Sequence, residues 1–268
     1  MIQGIFDSHA HYFDKRYESE TDGADSVLRE VLADGISHII NVATNMENAP
    51  ACLRQAASYP GMYAAVGIHP EDAQQLCLDP DSELPRLEAL LRDREAHKIV
   101  ALGEIGFDYH YEPVNYDLQT VFFERQMQLA AKYNLPVIIH DREAHGDCFD
   151  MICKYPEVIG VFHSYSGSAE MARELVRRGW YISFSGVVTF KNAERVRRVA
   201  ATIPPERLLA ETDCPYLAPH PNRGKINRSD YMQYTITTLA ELFHMSPDDM
   251  AALTRRNAAT LFGVDICA

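Results

Sequence analysis

Two histidines near the start of the chain are spaced to act on one ligand. In the stretch "FDSHAH", His9 and His11 are two residues apart, so on an extended segment both side chains point to the same side. Two imidazoles on one side of a strand end suit a metal ion. A lone histidine in such a place is more often a hydrogen-bonded structural residue, so the interpretation depends on what other donors the chain supplies.

Further metal-ligand types end later apolar runs of the sequence. Glu104 ends the fourth run, His140 the fifth, His163 the sixth and Asp213 the eighth. With the first pair they make four imidazoles and two carboxylates without a thiolate, more than one tetrahedral ion needs. The set therefore predicts two divalent ions bridged by a carboxylate, with Glu104 as the candidate bridge. Two ions about 3.5–4 Å apart activate a shared water and neutralise charge on attacking and leaving oxygens, which is hydrolytic chemistry.

Three carboxylates in or next to this set have two interpretations each. Asp213 serves either as a general base that accepts a proton from the attacking water or as a plain ligand. Glu211 and Asp7 each lie two residues before a candidate ligand and should share its face. Each of them either holds a ligand by a hydrogen bond or fills a polar interior.

The elements that position these residues follow a repeated pattern of strand and helix. Eight short apolar runs of the kind found in buried parallel strands recur along the chain: "GIFDSH", "SHIINVAT", "YAAVGIH", "IVALGEIG", "PVIIHD", "GVFHSYSG", "WYISFSG" and "LLAETD". Such alternation predicts a (β/α)8 TIM barrel, whose reactive groups lie at the C-terminal ends of its strands. No linker or charge block divides the chain, so residues 1–268 are predicted to form a single domain.

Helical spacing of apolar residues appears between the runs. One helix is predicted before Gly35 from Val27, Leu28, Val31 and Leu32, and another before "NLP" from Leu118, Val121, Phe122, Leu129 and Tyr133. Near the C-terminus, Ser246 is the expected N-cap of a final helix. Pro247 is then its first residue and Asp249 its reciprocal acidic cap.

Composition narrows the class of protein. Hydrophobic residues make up 47% and charged residues 24% of the 268 residues, as in ordinary globular proteins. No apolar run is long enough to span a membrane and no signal peptide is visible, so the expected compartment is the cytosol. The six cysteines show no CxxC spacing and are expected to be reduced. A net charge of −13 argues against nonspecific coating of nucleic acid, although an enzyme that engages only a chain end is compatible with it.

Longer motifs resemble a known family. "DSHAH", "GIHPED", "ALGEIGFDYH", "PVIIHDREA", "FHSYSGS" and "ETDCPYLAPHPNRGKINRSDY" look like the TatD-type metal-dependent deoxyribonucleases of the amidohydrolase superfamily. The resemblance extends from Asp7 to the C-terminal helix. It implies that His9, His11 and Asp213 bind one ion, that His140 and His163 bind the second, and that Glu104 bridges. It also implies hydrolysis of phosphodiester bonds from the 3′ end of single-stranded DNA, in some members RNA, with magnesium preferred and manganese or zinc as alternatives.

Residues for substrate contact are suggested on the same basis. His69 in "GIHP" resembles a substrate-contacting histidine of the family, the alternative being a turn histidine before Pro70. Arg142 follows the ligand His140 and has a guanidinium that matches phosphate oxygens in pairs. The competing interpretation of Arg142 is a surface ion pair with Asp141 or Glu143.

Other side chains beyond the ligand set are assigned in the same way. Arg223, Lys225 and Arg228 follow the eighth run and form either a basic rim for substrate or ordinary solvated charges. Tyr109 and Tyr111 either stack on unpaired bases or pack within their loop. For Asp108 a loop-ordering role, or a hydrogen bond to a ligand, is preferred to metal binding. The remaining histidines are expected to be structural: His38, His97, His110, His145, His220 and His244.

The leading hypothesis is a two-metal deoxyribonuclease with Glu104 and Asp213 as catalytic residues and single-stranded DNA or RNA ends as substrate. No membrane partner is expected, and a monomer is the default. One rival is a sister enzyme that hydrolyses a small amide, lactone or ester, which the acidic charge favours and the basic rim opposes. The second rival is a metal-binding docking protein without turnover. It is disfavoured because such a protein has no need of all six ligands.

Overall fold

The computed structural model describes residues 2–266, and its strands follow the predicted runs. They are β1 Ile5–Ala10, β2 Ile36–Val42, β3 Met62–Val66, β4 Ile99–Asp108, β5 Val137–Arg142, β6 Gly160–Phe162, β7 Tyr181–Phe184 and β8 Leu208–Ala210. These strands form one eight-stranded sheet in sequence order, and the paired strands are parallel. This is the (β/α)8 fold that the alternation predicts.

Helices separate the strands along the chain. They are α1 Ala24–Ala33, α2 Ala49–Ser58, α3 Pro70–Gln75, α4 Pro80–Arg92, α5 Tyr116–Tyr133, α6 His145–Cys153, α7 Ala169–Arg177, α8 Glu194–Ala200, α9 Met232–Phe243 and α10 Pro247–Phe262. Short 3-10 turns lie at Lys15–Ser19, Gly186–Thr189, Pro205–Arg207 and Ser229–Tyr231. The apolar strands are almost wholly buried, which explains why they read as continuous hydrophobic runs.

The described chain groups into two compact units. One contains the residues up to Asn41 together with those from His163 onward, and the other contains Val42–Phe162. In the first unit, β1 pairs with β2 and β7 with β8. In the second unit, β4 pairs with β3 on one side and with β5 on the other. The prediction of a single domain is not decided by this grouping and stays a prediction.

The predicted helix ends are confirmed at the C-terminus. Ser246 accepts a hydrogen bond from the Asp249 amide at 3.1 Å and donates to its carboxylate at 2.7 Å, and Pro247 opens α10. Helix α1 buries Val27, Leu28 and Val31 as expected.

The buried face of α5 differs from the one the spacing predicts. Its buried side chains include Phe122, Phe123 and Met127, whereas Val121 is 41% exposed. The reason is that α5 also buries amides for hydrogen bonding. Gln126 bonds both backbone polar groups of Ile68, so the inward face includes a polar residue that a hydrophobic pattern cannot register.

Two expectations concern membranes and thiols. Among the helices of residues 2–266, none combines the length and apolar character needed to cross a membrane. Five cysteines lie in this part of the chain and form no disulfide there: Cys52, Cys77, Cys148, Cys153 and Cys214. The sixth, Cys267, lies outside the described residues.

Candidate functional site

The first unit brings three predicted ligands to one point. His9 Nε2 lies 3.0 Å from His11 Nε2, and Asp213 Oδ1 lies 3.3 Å from the nitrogen of His11 and 3.9 Å from that of His9. Ligand atoms held at about 2.0–2.2 Å from one ion lie roughly 3.0–3.5 Å from each other. The three side chains therefore form a cluster that could hold a cation.

Backbone irregularity creates this convergence. The pairing of β1 with β2 shifts register between Asp7 and Ala10, so His9 lies in a bulge, a feature that re-aims side chains. Asp213 adopts a left-handed backbone with φ of 56°, and its amide donates to the His9 carbonyl at 2.9 Å. Such strain in a residue other than glycine is typical of functional positions.

A buried carboxylate holds β1 to the segment after β8. Asp7 accepts hydrogen bonds from the Thr212 amide at 3.0 Å, the Thr212 hydroxyl at 2.6 Å and the Ser229 hydroxyl at 2.7 Å. The Tyr12 hydroxyl lies 2.7 Å from that of Ser229. Burial raises the pKa of Asp7 from 3.8 to about 6, although these hydrogen bonds oppose the rise. Asp7 also accepts the His9 amide at 3.3 Å, so it holds His9 and Thr212, the residue before Asp213, which is the first of the two roles considered for it.

His163 joins the same unit next to His9. The two rings are stacked with centroids 4.2 Å apart. His163 Nδ1 lies 3.2 Å from Glu211 Oε1, which also accepts the Ser164 amide at 2.8 Å. A carboxylate beside Nδ1 favours the tautomer with its proton on that nitrogen, in which Nε2 would be the ligand atom. Glu211 therefore orients a candidate ligand, which is the hydrogen-bonding role considered for it from the sequence.

The neighbouring histidines offset the effect of burial on the pKa of Asp213. Burial raises the pKa of the Asp213 carboxyl, but the hydrogen bond with His11 and the electrostatic interactions with His163, His11 and His9 outweigh this effect and hold the pKa below its ordinary value. The carboxylate therefore stays ionised at neutral pH, as a ligand must.

The second unit contains the other two predicted ligands. His140 Nδ1 lies 2.8 Å from Glu104 Oε1, and its Nε2 lies 3.0 Å from Asp108 Oδ2. Burial raises the pKa of Asp108, but His140 lowers it to below the ordinary value. Asp108 thus orients His140, which is the role preferred from the sequence. The opposite ring nitrogen is left to face Glu104.

Glu104 lies at an irregular point of β4. The pairing with β5 runs from Gly103 opposite Ile138 to Ile105 opposite Ile139, which omits Glu104 from the register. A methyl group on Gly106 would lie 1.9 Å from the His140 carbonyl oxygen, so only glycine allows the strands to approach this closely. The bulge and the glycine set the Glu104 carboxylate beside the His140 ring.

His69 is fixed as a donor by the start of α3. Its Nδ1 accepts the Glu71 amide at 3.1 Å, so the ring proton lies on Nε2. That nitrogen is 3.8 Å from Glu104 Oε1, too far for a hydrogen bond. Its position beside Glu104 and His140 is compatible with a ligand set, but a protonated nitrogen has no lone pair for a metal. His69 instead presents an N–H at the cluster.

The chemistry of the donors fits a divalent cation. In the tautomer of His140 that donates to Asp108 through Nε2, the Nδ1 lone pair faces the Glu104 carboxylate at 2.8 Å. Two electron-rich atoms at this distance need a proton or a cation between them. Histidines whose second nitrogen is bonded to a carboxylate are typical of metal centres. We therefore regard these residues as suited to ions of the Mg²⁺, Mn²⁺ or Zn²⁺ class.

Arg142 does not make the surface ion pair considered as its alternative role. Asp141 Oδ2 pairs with His145 Nδ1 at 2.7 Å, and Glu143 Oε1 pairs with His110 Nδ1 at 2.7 Å. Within residues 2–266, Arg142 has no carboxylate at ion-pair distance. Its guanidinium instead lies over the Tyr111 ring, 4.9 Å from the centroid.

The three cations after β8 have different surroundings. Arg223 lies over the Phe190 ring at 4.2 Å, and Lys225 donates to the Asn222 side chain at 3.1 Å. Arg228, in contrast, pairs with Asp230 at 2.6 Å and Glu30 at 2.9 Å. A basic rim that includes Arg228 is therefore wrong, because its charge is neutralised within the protein. Both of the other cations are exposed.

The two tyrosines after β4 have separate roles. Tyr109 is half-buried, packs against Tyr116 with centroids 4.9 Å apart and donates to Asp147 at 2.7 Å. Tyr109 therefore packs within its loop, which is the alternative to base stacking considered from the sequence. Tyr111 is 41% exposed, which leaves its ring open to solvent.

Comparison with known proteins assigns this arrangement to a family. The model of the family described as "TatD related DNase" matches residues 6–263, which include every predicted ligand. The chain belongs to the TatD family. It is 37% identical over 264 residues to the uncharacterized metal-dependent hydrolase YabD of Bacillus subtilis, covering 97% of this chain and 100% of that one. The uncharacterized metal-dependent hydrolase TatD of Mycobacterium tuberculosis is 35% identical, with 97% and 98% covered.

A solved structure agrees with this assignment. The crystal structure of YjjV, a TatD homologue from Escherichia coli K12, matches with a TM-score of 0.90 and 31% identity, covering 99% of this chain and 100% of that one. The protein is therefore a metal-dependent hydrolase of the TatD family with the (β/α)8 fold.

Some functional contacts escaped the sequence analysis. Thr212, Ser229 and Tyr12 form the hydrogen-bond network of Asp7, yet hydroxyl residues are common and the three lie far apart in the chain. Ser164, whose amide holds Glu211, carries no side-chain signal at all. The Asp–His pairing of His145 and the Glu–His pairing of His110 support their assignment as structural residues.

Proposed function

We propose that this TatD-family hydrolase cleaves phosphodiester bonds of single-stranded DNA, removing nucleotides from the 3′ end, with RNA ends as a second substrate. The observation that carries the proposal is that a chain matched by the TatD DNase family model contains the His9–His11–Asp213 cluster in one unit and the Glu104–His140 pair in the other. These donors are nitrogen and carboxylate oxygen only, the set that supports metal-assisted hydrolysis.

Two divalent ions are part of the proposal, magnesium first. When bound, such ions lower the pKa of water and neutralise charge on a phosphate. His9, His11 and Asp213 would hold one ion. The assignment of His140 and His163 to the other, with Glu104 as the bridge, stays a prediction from the sequence.

Two of the chain's own residues are proposed to assist the reaction, Asp213 by accepting a proton and His69 by donating a hydrogen bond. Asp213 is ionised and its carboxylate has a second oxygen besides the one turned to the histidines, so it accepts the proton of the attacking water. His69 presents Nε2–H and donates a hydrogen bond to a phosphate oxygen as negative charge develops there.

Cations outside the clusters supply the substrate contacts. Arg142 has no carboxylate partner among the described residues and lies two residues beyond His140 on β5, so it suits a phosphate of the strand. Arg223 and Lys225 are exposed and are proposed to hold the strand further from the cleaved bond.

The proposal is tested by a time course on a 5′-labelled single-stranded oligonucleotide. Wild type and Glu104→Ala are each incubated with EDTA, Mg²⁺ or Mn²⁺. We expect a metal-dependent ladder that shortens from the 3′ end and is absent in the variant. A strand that stays intact while calorimetry shows bound metal would refute the nuclease assignment.

A second candidate function has one observation in its favour. The net charge of −13 suits an uncharged substrate, such as a small amide, lactone or ester, better than a polyanion. A panel of such substrates, run beside the oligonucleotide, separates the two functions. Loss of every activity in Asp213→Ala would further exclude a docking protein without turnover, whose role should survive that change.

A further inference from the structure

We infer that Tyr111 and Arg142 form a docking surface for one unpaired nucleotide, with the base stacked on Tyr111 and a phosphate bound by Arg142. The inference rests on the proposed function and extends it, since it identifies what distinguishes an unpaired nucleotide from a bare phosphodiester. It concerns only the unit that contains Val42–Phe162.

The position of Arg142 relates this surface to the reaction. Arg142 is the last residue of β5, two residues after His140, so the two side chains leave the strand on the same side. The pairing of β4 with β5 continues to Asp108 opposite Arg142, and the Tyr109 amide donates to the Arg142 carbonyl at 3.0 Å. The segment that carries Tyr111 is thereby anchored to the end of the strand that carries His140.

Charge identifies the first part of the ligand. The carboxylates adjacent to Arg142 in the chain are both bound to histidines, and within the described residues no carboxylate lies at ion-pair distance from the guanidinium. Burial and the charge of Asp108 raise the pKa of Glu71, whereas His140 and Arg142 lower it, so Arg142 and His140 act on the same neighbour. An unpaired guanidinium close to a hydrolytic cluster is suited to a phosphate.

The aromatic ring identifies the second part. Tyr111 is 41% exposed, and Arg142 lies over its ring and donates to its hydroxyl at 3.2 Å. The His110 ring meets the Tyr111 ring edge to face at 5.0 Å, and the Tyr111 carbonyl accepts a hydrogen bond from the Gln74 side chain at 3.3 Å. These contacts hold the ring in place while a large part of it stays open. A held, exposed ring stacks on any unpaired base, whereas a paired base is covered by its neighbours.

The test compares two single-stranded oligonucleotides, one intact and one with an abasic 3′-terminal nucleotide. We expect wild type to prefer the intact end by about 5- to 100-fold in kcat/KM, the range that stacking on one ring supplies. Tyr111→Ala should bring this ratio close to one, and Tyr111→Phe should keep most of it. Arg142→Gln should raise KM for both substrates, because both retain the phosphate.

Tyr116→Ala is the matched control. Tyr116 is 54% exposed and contacts Tyr109 rather than Arg142, so its variant should keep the wild-type ratio. An equal loss on both substrates in Tyr111→Ala would mean a structural role and would overturn the inference, as would no change.

Failure of the proposed function is separable from failure of this inference. If wild type cleaves neither strand, binding of the fluorescein-labelled intact and abasic strands is measured by anisotropy in EDTA. Tighter binding of the intact strand that disappears in Tyr111→Ala would support the docking surface alone. Equal binding of both strands by wild type, or binding of neither, would refute it. If wild type binds neither strand but hydrolyses small acidic esters, and Arg142→Gln impairs that hydrolysis, Arg142 would be assigned to such a substrate instead.

Discussion

His140 and His163 face their candidate ions with opposite ring nitrogens, and a carboxylate sets each choice. Asp108 takes the Nε2–H of His140, which leaves Nδ1 for a metal. Glu211 binds Nδ1 of His163, which leaves Nε2. A neutral imidazole has one lone pair, so these carboxylates decide whether a histidine is a ligand at all.

Loss of the Glu211 charge should weaken metal binding. In Glu211→Gln the acceptor for His163 is weaker, so we expect the affinity for Mn²⁺, measured by isothermal titration calorimetry, to fall about 10- to 100-fold. Glu206→Gln, an equal charge change at an exposed position, is the control. Equal affinities in wild type and Glu211→Gln would show that Glu211 only fills the interior.

Removal of His69 should affect turnover rather than metal binding. Because its Nε2 carries a proton, His69→Ala is expected to lower kcat about 10²- to 10³-fold with little change in Mn²⁺ affinity. His69→Gln retains an N–H donor and should recover part of the loss. A large drop in metal affinity in both variants would instead make His69 a ligand.

At the scale of elements, strand bulges and close approaches aim the ligands. Both His9 and Glu104 lie at register shifts, in β1 and β4. Gly106 has φ of 148° and lies against the carbonyl of His140, so only glycine can adopt this backbone conformation here. The geometry of the Glu104–His140 pair thus depends on one missing side chain.

Gly106→Ala should be strongly destabilising. The added methyl group cannot fit 1.9 Å from the His140 oxygen without separating β4 from β5. We expect the free energy of unfolding, measured by urea denaturation, to fall by more than about 3 kcal/mol. Gly146→Ala near the start of α6, where a methyl group meets nothing within 4 Å, should be neutral or slightly stabilising. Similar stabilities for the two variants would contradict the close approach.

The Asp7 network joins β1 to the segment after β8 and makes stability depend on pH. The pKa of Asp7 is about 6 in the folded protein and ordinarily 3.8, so between these values the folded state binds more protons than the unfolded chain. The stabilisation that Asp7 contributes is therefore fully present below about pH 4 and is lost as the pH rises through about 6. Above that pH the contribution no longer changes.

The Asp7→Asn variant isolates this effect. The amide keeps the shape of the side chain and removes the titration, so the free energy of unfolding of wild type relative to the variant should fall by up to about 3 kcal/mol between pH 4 and pH 7. Urea unfolding in EDTA across this range measures it. Parallel pH curves for the two proteins would show that Asp7 is ionised throughout.

At the scale of the whole molecule, divalent cations are expected to stabilise the folded state of this acidic protein. The chain carries −13, and the candidate ligand Asp213 is a half-buried carboxylate beside three histidines. Divalent ions that bind the folded protein alone stabilise it by mass action. Metal removal is therefore expected to lower stability as well as to abolish turnover.

The melting temperature should report this stabilisation. At about 100 times Kd one ion contributes about 2.7 kcal/mol, which corresponds to roughly 5–10 °C in Tm for a chain of this size. Calorimetric scans of wild type with Mn²⁺ and with EDTA should differ by that amount, and those of Asp213→Ala by much less. Equal shifts in both proteins would place the bound ion away from this cluster.

The sequence by itself determined the fold class, the positions of the eight strands and the residue types of the site. Hydrophobic periodicity is a local property, and metal-ligand residues are visible in the sequence at the ends of five of the eight strands. The tertiary structure decided what depends on partners distant in the chain. Asp108 and Glu211 choose the ring nitrogens, Ser229 completes the Asp7 network, and His145 and His110 remove the carboxylates that would neutralise Arg142. Hydrogen bonds and ion pairs form between side chains that folding brings together, so spacing along the chain cannot specify them.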